Sequence, residues 1–460
     1  MLHLVLISLP VIIALYTFLT GARYRRLVLW AAGLSLILDG YLCVYLPLDQ
    51  PVRMMGATFA LTAQGRLFVY AFLFMAGAVM VGAHALRQGE LPIPISLFIL
   101  GITLAIILLD DEIVSALLLE VVGLAIVLGT VDRPQEPLGL LPVPALMAGL
   151  KYLTMMVLAG IALVLGFLMF GLFLDAPQQV DYAKAALGLL VVGFGLGTAV
   201  VPFHLWFPDL AGRTSTAVTS LLVSLVQGAA LLLLGGFLLR SPELLQGNEL
   251  GRLWLSGGAI AAGLAAALLA IGQDRWKRLA AYAASYNIAA ILYAFGLVNA
   301  QGFQAGFLLT IHHGLALILL LLCIGVLEWS TGRDDIAGLV GVGRRMPVVA
   351  LGLIVAALSL AGIPPLGGFV GRWPLYIQAL SQGWVFLTGL FLSAALFLLA
   401  MVRALWPALL PTEQTVAFRK PPWSVLLVIV LLVLGLLLLG LYPHPLLAIL
   451  QEATAGLAVS

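Results

Sequence analysis

Glu120 stands in the middle of an apolar run, Ser115-Ala-Leu-Leu-Leu-Glu-Val-Val-Gly123, with no charged neighbour within a helical turn. Placing an ionised acid at the centre of a bilayer costs at least about 2.5–3.5 kcal/mol, so such a group faces a partner or a hydrated cavity. Burial and a nearby cation pull its proton affinity in opposite directions, the condition for a titratable relay; a static ion pair holding two helices is the other reading. Lys151, one apolar segment further on, is the expected partner, unless it snorkels toward the cytoplasm. His312 and His313 lie well inside a later apolar segment. A neutral imidazole there can shuttle a proton through either nitrogen or simply bond a neighbouring helix. Arg372, in Gly367-Gly-Phe-Val-Gly-Arg372, stays charged at any accessible pH, so it can set a local potential or bind a carboxylate but cannot titrate. His204 and Asp209, in Pro202-Phe-His-Leu-Trp-Phe-Pro-Asp209, read either as a cytoplasmic gate or as a helix cap.

The elements that must position these groups are membrane helices. The chain is 63% hydrophobic and 9% charged, with a mean hydropathy of +1.16, outside the range of a soluble domain. Apolar segments fall at about 2–20, 28–48, 67–86, 93–109, 113–130, 144–172, 184–202, 216–239, 253–271, 279–298, 303–327, 347–381, 385–407 and 423–443. This predicts a single membrane domain over 1–460, an all-α polytopic protein of about fourteen transmembrane helices. Continuous Leu/Ala/Gly-rich runs argue against a β-barrel. The first run lacks a basic leader, so it reads as a spanning helix rather than a signal peptide.

An external N-terminus puts Arg23, Arg25, Arg26, Arg87, Arg133, Arg213, Arg275, Lys277, Arg278, Arg333, Arg344, Arg345, Arg419 and Lys420 in the cytoplasm. It leaves Arg53, Arg66, Lys184, Arg240 and Arg252 outside, a bias of about fourteen to five that fits the positive-inside rule. Both termini are then external, and Arg403 reaches an interface. The acidic run Asp110-Asp111-Glu112 reads as solvated loop charge at an outer helix end.

Two segments, around Val200–Pro208 and Gly362–Gly371, are interrupted by proline or glycine. They read either as ordinary kinks or as the broken helices of an inverted repeat lining an ion path. The repeats would cover 93–239 and 253–407. Neither a P-loop, a dinucleotide fingerprint nor metal-ligand spacing occurs, and the two cysteines, Cys43 and Cys323, cannot hold an iron–sulfur cluster. No cofactor, metal site or bond-making chemistry is expected of this chain.

Pro202–Asp209, Lys277-Arg-Leu-Ala-Ala-Tyr282 and Ser359-Leu-Ala-Gly-Ile-Pro-Pro-Leu-Gly-Gly-Phe-Val-Gly-Arg372 resemble the antiporter-like proton-pumping subunits of respiratory complex I, Mrp cation/proton antiporters and membrane-bound hydrogenases. Ser285-Tyr-Asn-Ile288 is most similar to the hydrogenase-4 and formate-hydrogenlyase branch. The resemblance covers roughly 95–385 and implies two inverted five-helix repeats with a charged axis through each broken helix. It implies places on the proton path for Glu120, Lys151, His313 and Arg372, with Glu120 and Lys151 as the switching pair. His312 or His313 would relay, and Arg372 would bias the far end. Departures are equally plain: the central lysine of the seventh helix is Gly197, the eighth-helix lysine or histidine is Gln227, and the lysine four residues beyond the histidine is Leu317.

Implied partners are other membrane subunits and a peripheral redox or transport module, with the small-residue stripe Ser256–Gly263 as a candidate contact face unless it packs internally. The tail after Pro445 lacks a long lateral helix. A cation/proton antiporter, an inorganic-carbon uptake subunit or a scaffold that has lost pumping are the competing implications.

Overall fold

The computed structural model describes residues 2–458 except 22, 55, 133–142, 246–248, 338–339 and 411–418; Arg133 lies outside the described residues. In chain order come α1 (Leu2–Thr20), α2 (Arg25–Tyr45), a hairpin of β1 (Val52–Met54) and β2 (Ala57–Phe59), α3 (Ala63–Ala85), α4 (Pro92–Leu108), α5 (Glu112–Thr130), α6 (Val143–Asp175) and α7 (Val180–Thr198). Then follow α8 (Phe207–Arg213), α9 (Thr216–Leu221), a π turn (Leu222–Val226), α10 (Gln227–Arg240), α11 (Glu249–Ile271), α12 (Trp276–Gly296) and α13 (Ala300–Thr331). The chain closes with α14 (Val342–Arg345), α15 (Pro347–Ala361), α16 (Gly367–Gln382), α17 (Trp384–Leu409), α18 (Trp423–Leu441) and α19 (His444–Ala453).

Twelve helices among the described residues are long and apolar enough to cross a membrane, and Pro92–Leu108 and Pro347–Ala361 are shorter apolar helices. The fold is therefore an all-α multi-pass membrane bundle. Its burial is inverted relative to a soluble protein, with Leu19, Trp30, Trp384, Val385 and Trp423 among the most exposed side chains. Lipid accepts such faces, and tryptophans at the starts of α17 and α18 suit the membrane interface.

The core lies around α13, which packs against α3, α9, the π turn, α10, α12, α15, α16 and α18. Almost every residue of α12 and α13 is buried. Polar side chains on these two helices must therefore be satisfied inside the protein.

Both sequence interruptions are genuine breaks. At the first, α7 ends on Ala199 with φ 59°, and a Val201–Pro202 cis peptide leads toward α8. At the second, α15 ends on Gly362 with φ 79°, and a Pro364–Pro365 cis peptide leads to α16. Glycine is required at 362 on two grounds: the backbone is left-handed, and a Cβ would stand 2.5 Å from the Arg372 side chain.

Three local features differ from the sequence reading. Segment 216–239 is not one continuous α-helix: the π turn inserts an extra residue just before Gln227, which no proline or glycine in the preceding run announces. The short β1–β2 hairpin, absent from that reading, is held by Ala60 N–H donating to the Leu108 carbonyl and Asp110 N–H to that of Thr58. After Pro443 the chain forms α19, which packs on α13 and α3 and is tied down by Gln304 Nε2 donating to Thr454 Oγ1 at 2.8 Å. The Ser256–Gly263 stripe packs internally in part, with Gly263 facing Ala289 of α12 and Ser393 of α17. Arg403 donates to Asp274 at 2.9 Å at a helix end, as expected of an interfacial arginine.

Candidate functional site

Gln227, Asn287 and His313 stand near the middles of three adjacent buried spans, and all three are 0% exposed. Their side chains join the two helix breaks. Starting at the second break, Arg372 Nη2 donates to the Leu360 carbonyl at 3.1 Å and to Asn287 Oδ1 at 2.8 Å. Asn287 Nδ2 meets His313 Nδ1 at 3.3 Å, and His313 Nε2 meets Gln227 Oε1 at 3.3 Å. Gln227 Nε2 then donates to the Thr198 carbonyl, the last turn of α7, at 2.8 Å.

The sense of every bond in this chain follows from its ends. A guanidinium only donates, so the Asn287 atom facing Arg372 is the carbonyl oxygen and its NH2 faces His313. A backbone carbonyl only accepts, so Gln227 presents NH2 to Thr198 and oxygen to His313. His313 is thereby fixed as the neutral Nε2–H tautomer, accepting at Nδ1 and donating at Nε2. All the bonds point from Arg372 toward Thr198, and between those ends His313 is the one side chain with an imidazole that can hold a proton on either of two nitrogens.

Arg372 is 3% exposed and makes no salt bridge among the described residues. Its charge is met by the carbonyl end of α15, by Asn287, and by the face of Tyr286, whose ring centroid lies 4.6 Å from the guanidinium carbon. Tyr286 is itself stacked on Phe397 at 4.2 Å. His312 takes a separate course: its Nε2 lies 2.9 Å from Ser359 Oγ near the end of α15. A Cβ at Gly368 would fall 1.9 Å from the Ser359 carbonyl and 3.0 Å from the His312 ring, so this junction closes only around glycine.

The expected Glu120–Lys151 pair does not form. Lys151 is 61% exposed and donates to Asp209 Oδ2 at 3.0 Å, while Arg213 Nε donates to Asp209 Oδ1 at 2.6 Å. Partial burial works against the Asp209 carboxylate, yet its bonds from Arg213 and Lys151 hold it below the usual carboxylate range. Glu120 instead lies against Gly160, further along α6. Between it and the first break stand Tyr152 and Trp206, ring centroids 4.8 Å apart, with Trp206 Nε1 donating to the Leu196 carbonyl at 3.1 Å. His204 is buried beside Tyr282, 5.6 Å between ring centroids, outside the chain of hydrogen bonds. Gln227, His313 and Arg372 are thus brought together, whereas Glu120, Lys151, His204 and His312 are not part of the same chain.

Asn287 completes the connection, and sequence reasoning passed over it as a site residue. The available signal was a primary amide in the middle of a span whose neighbours are Ala, Ile, Ser and Tyr. Asp39 of α2, outside the sequence reading, is another buried carboxyl: it is 0% exposed, and Ser35 Oγ donates to its Oδ2 at 3.4 Å. A separate cavity of about 480 Å³ between α7, α10, α11 and α12 is lined by apolar groups such as Phe194, Val201, Leu238 and Ala259, with Lys184 as its charged lining residue. None of the hydrogen-bonded residues lines it.

Residues 142–397 match the family described as NADH:quinone oxidoreductase/Mrp antiporter, TM. The chain belongs to this family. It is an antiporter-like membrane chain, 30% identical over 287 residues to the NADH-quinone oxidoreductase subunit N 1 of Symbiobacterium thermophilum, a match covering 60% of this chain and 58% of that protein. It is also 31% identical over 214 residues to formate hydrogenlyase subunit 3 of Escherichia coli, covering 43% and 34%. The matches thus span less than two thirds of these two relatives. In fold it is similar to a chain of the Mrp complex from Dietzia sp. DQ12-45-1b, with a TM-score of 0.85 at 20% identity over 99% of this chain and 98% of that one. A chain of respiratory complex I from Thermus thermophilus with bound NADH gives a TM-score of 0.82 at 20% identity, covering 99% of both.

Proposed function

We propose that this chain carries protons across the membrane as an ion-translocating subunit of a multi-subunit, redox-coupled assembly. The observation that supports it is the buried, one-directional chain from Arg372 through Asn287, His313 and Gln227 to Thr198, which joins two helix breaks near the middle of the bundle. Polar groups at that depth are costly unless they serve one another or an ion path. In this reading His313 holds the transferable proton, Gln227 and Arg372 orient it, and Glu120 is a carboxylate flanking the first break. Lys151 and His204 then govern the approach to that break, with Lys151 acting through Asp209 rather than through Glu120, and His312 supports the second break from Ser359.

The residues 93–239 and 253–407 are taken as two inverted five-helix repeats, each contributing one break. The supporting feature is that both first half-helices end on a left-handed residue, Ala199 and Gly362. The partners are other membrane subunits and a peripheral module that supplies the redox or transport step. Support for partners comes from relatives named as subunits of NADH-quinone oxidoreductase and formate hydrogenlyase. The host is the inner (plasma) membrane with both termini external, on the strength of the basic-residue bias.

The test is proton uptake by vesicles carrying the complete assembly purified from its native membrane. His313→Leu is expected to abolish uptake and Glu120→Gln to reduce it; uptake unchanged by both substitutions would overturn the proposal. The unprotonatable Gly197, Gln227 and Leu317 favour, as a second reading, a scaffold that seals the membrane without pumping. Sodium-dependent transport would instead favour an antiporter, and a co-purifying soluble zinc protein an inorganic-carbon uptake role.

A further inference from the structure

The Asn287 amide has only one orientation that serves both of its neighbours. With Oδ1 toward Arg372 and NH2 toward His313, each contact pairs a donor with an acceptor. A proton on His313 Nδ1 reverses the demand on one side, because that nitrogen must now donate. Asn287 can accept there only by turning its amide so that Oδ1 faces the ring. Its NH2 then points at the guanidinium, donor against donor, in a site where an unpaired buried polar group is expensive. Arg372 would have to leave Asn287, keeping the Leu360 carbonyl and the Tyr286 face.

We infer that Asn287 is a positioning residue that makes protonation of His313 at Nδ1 and docking of Arg372 on α12 mutually exclusive. The inference deepens, and rests on, the proton-carrying reading of this chain. It makes the second break sense the His313 proton, because Arg372 lies in the second turn of α16 and is bonded to the last turn of α15. The surroundings leave few competitors. Meeting or adjoining the ring are Asn287 from α12, Gln227 from α10, the backbone of Val223 in the π turn and His312 on the same helix, with Arg372 of α16 and Tyr286 one contact further off beyond Asn287. Met75 of α3 packs beside the following Gly314. Of these, Arg372, Tyr286 and His312 are ionisable, and none of them is a carboxylate that could stabilise an imidazolium directly.

Nitrogen-15 NMR of histidine-labelled full chain in lipid nanodiscs reads the His313 tautomer, with His313→Gln identifying its signals. The parent protein should show a proton on Nε2 alone. Asn287→Leu, which offers Nδ1 no donor, should keep the proton on Nε2, where Gln227 Oε1 still accepts it, and shift only the Nδ1 signal. Asn287→Asp is isosteric and accepts from both sides, so it should place a proton on Nδ1 while Arg372 stays docked. Identical His313 spectra in all three proteins would overturn the inference. Because this readout needs no transport, a parent protein that moves no protons but follows the expected tautomer series would sink the proton-carrying reading and leave the switch standing. Should Asn287→Leu fail to fold, the Asn287→Asp spectrum decides alone.

Discussion

The carboxyl group of Glu120 occupies the place of the missing side chain of Gly160: a Cβ there would lie 2.5 Å from the Glu120 carboxyl carbon. Gly160 is roughly two and a half turns along α6 from Lys151, which explains why acid and lysine do not pair. Gly160→Ala should therefore displace Glu120 and destabilise the protein by about 1–3 kcal/mol through overpacking. Thermal unfolding in detergent measures this. The double variant Gly160→Ala with Glu120→Ala should recover most of the loss, and additive effects in that cycle would show that the two residues do not share the space.

Ser359→Ala removes the hydroxyl that meets buried His312 at 2.9 Å. With its Nδ1 already unpartnered among the described residues, His312 would then keep only the Ser359 backbone beside its ring. The expected cost is about 1–3 kcal/mol, again from the unfolding midpoint, with Ser359→Thr retaining most of the stability. A Ser359→Ala protein as stable as its parent would refute the account of this contact.

Two positions where the resemblance implies lysine should respond in opposite ways. A Cβ on Gly197 meets no atom within 4 Å, whereas Leu317 is 0% exposed in the core of α13. Gly197→Lys should be tolerated, while Leu317→Lys, which buries a cation without a counter-ion, should cost several kcal/mol. Yield of monodisperse protein after membrane extraction distinguishes them; equal yields would contradict the assignment of open space to one site and close packing to the other.

The Lys151–Asp209–Arg213 cluster is partly exposed, so its contribution is small and screened by salt. Because the Asp209 carboxyl is held below its ordinary value, whatever stability it adds is fully present above that value and is lost as pH falls through the lower folded one. The difference in unfolding midpoint between the parent and Asp209→Asn should thus stay constant from about pH 5 to 8 and shrink only below about pH 4. A difference that changes between pH 5 and 8 would show that another group controls the cluster.

Hydropathy along the chain was enough to indicate a multi-pass helical bundle, the two breaks and the polar residues stranded within it, although twelve described helices are long and apolar enough to span where about fourteen were expected. These depend on local quantities: the length of an apolar run, a proline without an N–H, a charge without water. The family likeness of Pro202–Asp209 and Ser359–Arg372 was legible for the same reason. Which stranded groups meet was not. His313 reaches Gln227 and Asn287, and Lys151 reaches Asp209 rather than Glu120, because of how helices far apart in the chain are rotated against one another. A π turn before Gln227 and a glycine at 160 alter those rotations and contacts, yet neither breaks the hydropathy pattern of its segment. Residue order alone specifies a membrane bundle with two interrupted helices and a few buried polar groups. That Asn287 links them, and in which direction their hydrogen bonds run, emerges only in the folded bundle, because donor and acceptor are matched across helices and not along one.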